Sequence, residues 1–513
     1  MRQEYITLVK KYIGRKPDYK SKLKDIKNSL VSLGASTAEI DEGIRQFEID
    51  QQRSLLPGVS PQVKPANQLP QVYQQSALQK SPSAWDKITH MHVATSAVGL
   101  GIVFLLIGIY FLTAINTNST PNGKTLSTLA HDFTNQGSKL PGGIAPPVYA
   151  NSQSVDAKQV FKYTPSSPIS LAVSGDPKKE VFGFMPYWML DAEDKISLNA
   201  LTTIALFALD VDGKGNIVTT SSEGKPNPGW AMWNDPKLND FINRVKKKRL
   251  NIQLTIKAFN NDDIEKLVTS DEAQKTFVAN AIYLVNAKSL SGINLDFEYV
   301  GNPDTRITEG FTRLVTNLST ELQRQIPHST LTIDTYINSA QIPRLFDVEV
   351  LANYVDAFIV MGYDIHTPLG SPGPISPMEG EMGILWFMES YLEKVQPEKL
   401  ILAVPYYAYD WAVPNVGLSG VSTATTILPY AEIAELSLKQ NILWDDSSQT
   451  PYYKYKNEAD ATVHEVHYEN ARSLGIKYDY VNRKNLRGIG IWALGYDGLN
   501  ADFRSLILEK FAN

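Results

Sequence analysis

Residues 291–300 read SGINLDFEYV, and polar and apolar side chains alternate through them. In an extended strand, residues two apart share a face. Gly292, Asn294, Asp296 and Glu298 therefore point one way, and Ile293, Leu295 and Phe297 the other. A parallel barrel wrapped by helices suits both faces. The apolar set packs outward beneath the helices, and the polar set points inward, rising toward the C-terminal rim where such barrels keep their catalytic groups.

The surrounding sequence repeats the pattern. Short apolar runs occur at 181–188, 202–211, 250–258, 292–300, 329–337, 355–364, 399–409 and 488–497, and helical patterns fall between them, among them 232–248, 262–288 and 305–325. Eight alternations of strand and helix predict an α/β fold, a (β/α)8 TIM barrel over residues 180–513. Residues 410–487, between the seventh and eighth strands, are too long for a simple connection and predict a small α+β insertion.

Two carboxyl groups stacked at i and i+2 and buried in a barrel are costly unless they are paired or share a proton. One is then pushed upward, and Glu298, nearer the rim, is the candidate to hold a proton near neutral pH and act as a general acid. The other readings on spacing alone are a metal site or neutralisation of a nearby arginine; no histidine accompanies the set on this strand. Tyr363 and Asp364 end the sixth strand, Tyr406 and Tyr407 the seventh, and Trp492 lies in the eighth. Rings and hydroxyls around a carboxylate pair suit a sugar, whose faces stack and whose hydroxyls need partners.

The bulk composition sets outer bounds. The 513 residues are too many for one compact core. Net charge is −5, which gives no basic footprint for a nucleic acid, and cysteine is absent, which excludes disulfides, thiolate metal sites and a cysteine nucleophile.

Residues 93–115, VATSAVGLGIVFLLIGIYFLTAI, carry no charge and are long enough to span a hydrocarbon core of about 30 Å. They predict a single transmembrane helix. Lys80 and Lys87 on its N-terminal side, against Lys124 alone on the other, orient the N-terminus to the cytoplasm and the barrel outside the cell membrane. Residues 1–53 predict a small cytoplasmic helical unit: Leu23, Ile26, Leu30 and Leu33 share a face, and Ile40, Ile44 and Phe47 follow a Ser36/Glu39 capping pattern. That unit is either a site for a cytoplasmic protein partner or a folded tail. Residues 54–92 form a Pro/Gln-rich linker, and 116–179 an extracytoplasmic stalk rich in Ser, Thr, Asn, Gly and Pro.

Over residues 180–513 the chain resembles glycoside hydrolase family 18, the chitinase-like barrels. The family's fourth-strand signature D-G-x-D-x-D-x-E meets S-G-I-N-L-D-F-E here, and its sixth-strand M-x-Y-D meets Met361, Gly362, Tyr363 and Asp364. Trp492 stands where the family has a tryptophan under the sugar. ILWDDSSQTPYYKY, VHYENARSLGIKYDYV and LRGIGIWALGYD resemble the bacterial peptidoglycan-lytic members of the spore-germination type. Ser291 and Asn294 depart from the signature by replacing its first two aspartates.

The resemblance implies a retaining, substrate-assisted mechanism. Glu298 would be the acid, Asp296 would orient the acetamido group, Tyr363 would bind its oxygen, and Asn294 would hydrogen-bond Asp296 without carrying its charge. Trp492, Asp364, Met361, Tyr187, Tyr406 and Tyr407 would line the sugar site. No metal or organic cofactor is implied. The substrate would be an N-acetylglucosamine polymer, peptidoglycan before chitin. The alternative is a weak or inactive carbohydrate-binding protein on the same barrel, against which stands the intact Asp296/Glu298 pair.

Weaker signals have plainer readings. Asp445 and Glu469 read as surface salt bridges. His464 and His467 in HEVH, three apart, are expected on the surface.

Overall fold

The computed structural model describes residues 175–512 except 343, 369, 381, 414–423, 458–461 and 499, together with residues 40, 44 and 45. The linker, candidate membrane span and nearly all of the N-terminal unit and stalk lie outside these residues. Ile40 and Ile44 are helical, with Ile40 buried. Among the described residues no helix is long and apolar enough to cross a membrane.

Eight parallel strands close a barrel in the order β1-β13-β7-β6-β5-β4-β3-β2. They are β1 (Glu180–Pro186), β2 (Thr203–Asp210), β3 (Asn251–Ala258), β4 (Gly292–Phe297), β5 (Thr330–Tyr336), β6 (Ala357–Met361), β7 (Leu400–Pro405) and β13 (Gly488–Trp492). Each expected strand is present, shortened at its ends; Tyr363 and Asp364 fall in the loop after β6.

Two expected helices are each divided. Residues 232–248 become the end of α1 (Pro228–Asn234) and α2 (Pro236–Lys247), because Asp235 caps α2 by accepting from Lys237 N and Pro236 takes the first helical position, where its missing N–H costs nothing. Residues 262–288 become α3 (Asn261–Thr269) and α4 (Asp271–Lys288), divided at Ser270, whose hydroxyl accepts from Ala273 N. The helix α5 (Thr305–Gln325) has the expected bounds.

The insertion starts earlier and ends earlier than 410–487. Its first strand, β8 (Tyr407–Val413), begins two residues after β7 ends, and with β9 (Ala424–Pro429), β10 (Leu443–Asp445), β11 (Thr450–Lys456) and β12 (Val463–His467) it forms an antiparallel sheet in the order β10-β11-β12-β8-β9. One helix, Tyr430–Leu436, follows β9. Ala408, Leu428, Ile433, Tyr453, Val466 and Tyr468 make the lobe's own core. Residues 471–483 are not part of the lobe: they form a barrel helix packed on β13 and on the C-terminal helix Asp502–Phe511.

The outward face of β4 is anchored by aromatics. Phe297 lies 6.0 Å from Phe277 of α4 and 5.6 Å from Phe311 of α5, ring centre to ring centre. At the strand's start Gly292 has no substitute, since a Cβ there would meet Thr330 O at 2.0 Å. The strand that carries the acids is thus fixed by packing behind it and by backbone contact at its base.

Candidate active site

The inner face of the barrel is divided. Pairing register levels Gln253 with Gly292 and Thr330, and Thr255 with Asn294 and Thr332. The next row upward holds Asp210, Lys257 and Asp296, with Asp334 level by the same register. This half is polar, and its two lower rows are hydrogen-bonded. Gln253 donates to Thr330 Oγ1 at 2.8 Å and accepts from Thr332 Oγ1 at 2.7 Å. On β1, β6, β7 and β13 the inward positions are Phe182, Phe184, Ile359, Met361, Ala403, Gly490 and Trp492, an apolar wall.

The Asp210 position depends on an irregularity. Between Leu206 and Leu209 the β2 register slips by one residue against β3, so Phe207 and Asp210 both reach the interior despite their odd spacing. Asp210 pairs with Lys257, whose ammonium also lies 4.6 Å from the Phe259 ring, and Asn227 donates to Asp210 Oδ2 at 2.9 Å.

Asp296 and Glu298 are each only 4% exposed. Oδ1 of Asp296 and Oε2 of Glu298 are buried and make no hydrogen bond within the described residues. Burial pushes the Asp296 carboxyl up to about 7, against the pull of the Lys257 ammonium. Burial likewise drives Glu298 well above the carboxylate range, and the Asp296 charge adds to the rise. A glutamic acid held protonated beside a second acid is a proton donor at neutral pH.

The chain beyond Glu298 is clamped. Glu298 N donates to Ala258 O at 2.9 Å, the Tyr299 hydroxyl donates to Glu265 at 2.6 Å, and Asn261 and Val300 exchange two hydrogen bonds. Glu298, the first residue after β4, is therefore held on the side of β3 and the helix that follows it.

Asn294 does not turn to Asp296. Its side chain accepts from Thr255 Oγ1 at 2.9 Å and donates to Thr332 Oγ1 at 3.1 Å and to Asp334 Oδ1 at 2.8 Å, so both ends are occupied by the neighbouring strands. Asp334, buried, and Tyr336, half-buried, stand on β5 beside the acids and were not expected there. Their signal was present, because STLTIDTYI alternates as SGINLDFEYV does, with Thr332, Asp334 and Tyr336 on one face.

Tyr363 is buried within the field of Asp334, Asp364, Asp296 and Glu298. Its ring stands edge-on to Tyr407 at 6.1 Å. Asp364 adopts φ 56°, a left-handed conformation that aspartate tolerates better than most residues, and Oδ1 accepts from both Tyr407 and Tyr409. Met361, level with Tyr336, closes the row below. Trp492 is 4% exposed, held by Phe207 at 4.6 Å and Phe184 at 5.4 Å, with Trp188 at 6.4 Å. Tyr187 follows β1, half-buried against Trp188 and within reach of the Asp210 charge.

Tyr406 departs from expectation. Neither tyrosine ends the seventh strand: Tyr407 opens β8 and joins Asp364, while Tyr406, between β7 and β8, turns away to pack on Phe503 at 4.6 Å, with its hydroxyl 3.4 Å from that of Tyr478. His464 and His467 lie on strand β12, on opposite faces, and neither is a surface residue. His464 Nδ1 meets Asp410 Oδ1 at 2.7 Å, and His467 is buried with Nε2 2.9 Å from Glu465. Glu469 forms its ion pair, with Lys477 at 2.8 Å, but both partners are buried. Asp445 stays at the lobe's periphery, accepting from Ser447 N. Among the described residues no group of three or more His, Asp or Glu is placed to hold a metal ion.

Comparison with known proteins gives a consistent picture. The model of "Glycosyl hydrolases family 18" matches residues 180–497. Mouse di-N-acetylchitobiase is 28% identical over 235 residues, 42% of this chain and 64% of that protein. The cortical fragment-lytic enzyme of Bacillus subtilis is 24% identical over 267 residues, 51% of this chain and 60% of that protein. The chain thus spans somewhat under two thirds of these relatives. In fold it is similar to the spore cortex-lytic enzyme of Bacillus megaterium, with a TM-score of 0.52 at 17% identity, covering 77% of this chain and 86% of that one.

Proposed function

Because this chain belongs to family 18 of the glycosyl hydrolases, we propose that it is a retaining glycosidase that cleaves β-1,4-linked polymers of N-acetylglucosamine, peptidoglycan in the first place and chitin in the second. The observation that carries the reading is the buried Asp296/Glu298 pair, with its raised proton affinity and its unpartnered oxygens.

In this reading Glu298 gives its proton to the glycosidic oxygen as the bond from that oxygen to the anomeric carbon breaks. The carbonyl oxygen of the sugar's own 2-acetamido group bonds to the anomeric carbon, giving an oxazolinium ion. Asp296, ionised, accepts the acetamido N–H and balances the positive charge, while the Tyr363 hydroxyl donates to the acetamido oxygen. Water then adds to the anomeric carbon from the side the leaving group vacated, as the bond from that carbon to the acetamido oxygen breaks, and Glu298 takes a proton from the water. Two inversions leave the configuration retained. Trp492, wedged by Phe184 and Phe207, offers a rigid ring to the sugar.

The preference for peptidoglycan rests on the likeness to cortex-lytic relatives and on the uncharged stretch 93–115, which would anchor the barrel outside the cell membrane beside the wall. Residues 1–53 would then face the cytoplasm, free to meet a protein partner. Ser291 and Asn294 favour a second reading, a barrel that binds saccharide without cutting it. One experiment separates the two. The full-length protein in detergent is incubated with purified peptidoglycan and with chitin oligosaccharides, beside its Glu298→Gln variant. Reducing ends released by the first and not by the second support the glycosidase; equal binding without release by either supports the lectin.

A further inference from the structure

The family signature places a carboxylate two residues before Asp296, and here that position is Asn294. The structure holds another carboxylate nearby. Asp334 of β5 is buried, follows Ile333 just as Asp296 follows its register partner Leu295, and accepts a 2.8 Å hydrogen bond from Asn294 Nδ2. We propose that Asp334 is the carboxyl partner of Asp296, the two sharing one proton, and that Asn294 is the bracket that fixes Asp334 in that role. The second acid has moved sideways to the next strand instead of standing below Asp296 on its own.

Three observations support this assignment. An asparagine free to rotate would satisfy itself on any neighbour, but Asn294 is tied by Thr255 and Thr332, so its amide N–H is aimed at Asp334 by the strands on both sides. Oδ1 of Asp296 has no partner among the described residues, so no other group competes for its proton. Two buried carboxyl groups at one level cannot both ionise at modest cost, and burial with mutual repulsion drives Asp334 upward as it does Glu298.

The charges facing Asp334 can be named from each side. From β4 comes Asp296, from just beyond its end Glu298, and from the loop after β6 Tyr363, with Asp364 behind Glu298. Lys257 on β3 faces Asp296 and draws it toward the anion. The level residue on β6 is Ile359, which is apolar. Proton affinity is thus graded: Lys257 favours ionisation of Asp296, and Asp334 is the group left to hold the proton. Asp334 acts through Asp296 and is a positioning residue.

Its consequence for turnover rests on the glycosidase reading above; the shared proton does not. The test therefore uses two readouts on the full-length protein. The first is the pH profile of kcat on chitin oligosaccharide for wild type, Asp334→Asn, and the exchange variant Asn294→Asp/Asp334→Asn. Asp334→Asn takes away the negative charge that Asp334 carries once the shared proton is lost, and that charge raises Glu298, so the alkaline limb of the profile moves to lower pH. kcat falls roughly a hundredfold, the low end of what a placed proton-transfer group contributes, with KM little changed. The exchange variant regains at least tenfold and returns the limb. A variant that merely folds less well would scale the profile without moving it.

The second readout is the infrared carboxyl band of protonated acids, followed against pH with Glu298→Gln as background. Wild type shows a protonated carboxyl band to which Asp334 contributes; the band is reduced in Asp334→Asn, where burial still protonates Asp296, and restored in the exchange variant. If wild type cuts nothing but shows this band, the glycosidase reading fails and the shared proton stands. If the band is unchanged in Asp334→Asn, or the alkaline limb does not move, the proposal is overturned.

Discussion

The Tyr409 hydroxyl donates to Asp364 Oδ1 at 2.7 Å, from the first strand of the inserted lobe to the loop after β6. Tyr407 donates to the same oxygen. The acid that follows Tyr363 is therefore oriented from outside the barrel. Tyr409→Phe removes one donor and should cost about 1.5–3 kcal/mol, the usual range for a hydrogen bond to a carboxylate. Urea unfolding measures the loss, and activity should fall by a larger factor than in a Tyr455→Phe control, whose hydroxyl bonds Asp410 within the lobe.

The raised acids give stability a definite slope with pH. In the unfolded chain Asp296 ionises near pH 4, whereas burial lifts it to about 7 in the fold. Between those values the folded protein keeps a proton that the unfolded chain releases, so rising pH favours unfolding. Asp296→Asn removes this term. Its stability relative to wild type should increase steadily from about pH 4 to about pH 7 and level off above. A difference that stays flat across this window would show that Asp296 ionises normally.

Phe297 is the packing anchor of the strand that carries both acids, set between Phe277 and Phe311. Phe297→Ala opens a cavity in a fully buried site, at an expected cost of about 3–5 kcal/mol. Phe297→Leu should cost far less. Thermal unfolding of the two variants tests the ranking.

Lys477 and Glu469 form an ion pair with no exposure of either side chain above 1%. Lys477→Met strands a buried carboxylate, and breaking such a pair costs about 3–5 kcal/mol. The double variant Glu469→Leu/Lys477→Met should recover most of that loss, since an apolar pair needs no compensation. Denaturant midpoints for both decide the matter.

The barrel was legible because its signal is local. Alternation in SGINLDFEYV and seven similar runs reports which side of each strand faces the helices, and that is a property of a few consecutive residues. What escaped depends on neighbours distant in sequence. Asp334 carries the same alternation, but a single acid on a strand has no meaning until β4 is laid beside β5. Asp210 reaches the interior through the slip between Leu206 and Leu209, which no spacing rule shows. Tyr406 and Tyr407 are alike in sequence, and only the passage from β7 into β8 separates them. HEVH is too short to distinguish a strand from a helix. The helix breaks at Asp235-Pro236 and Ser270 were readable as caps.

The chain enters the lobe through one residue and leaves it through three, Tyr468–Asn470. Tyr406 alone separates β7 from β8, and its N–H donates to Trp492 O at 2.7 Å while its carbonyl accepts from Tyr430 N at 2.9 Å. A hinge needs a few residues free to change their backbone angles, and the entering connection has one residue, hydrogen-bonded at both its N–H and its carbonyl. The lobe strand that orients Asp364 thus works like a fixed jaw, not a closing one. A saccharide must bring the right bend with it, and the enzyme's selectivity would lie in the shape of the glycan it meets.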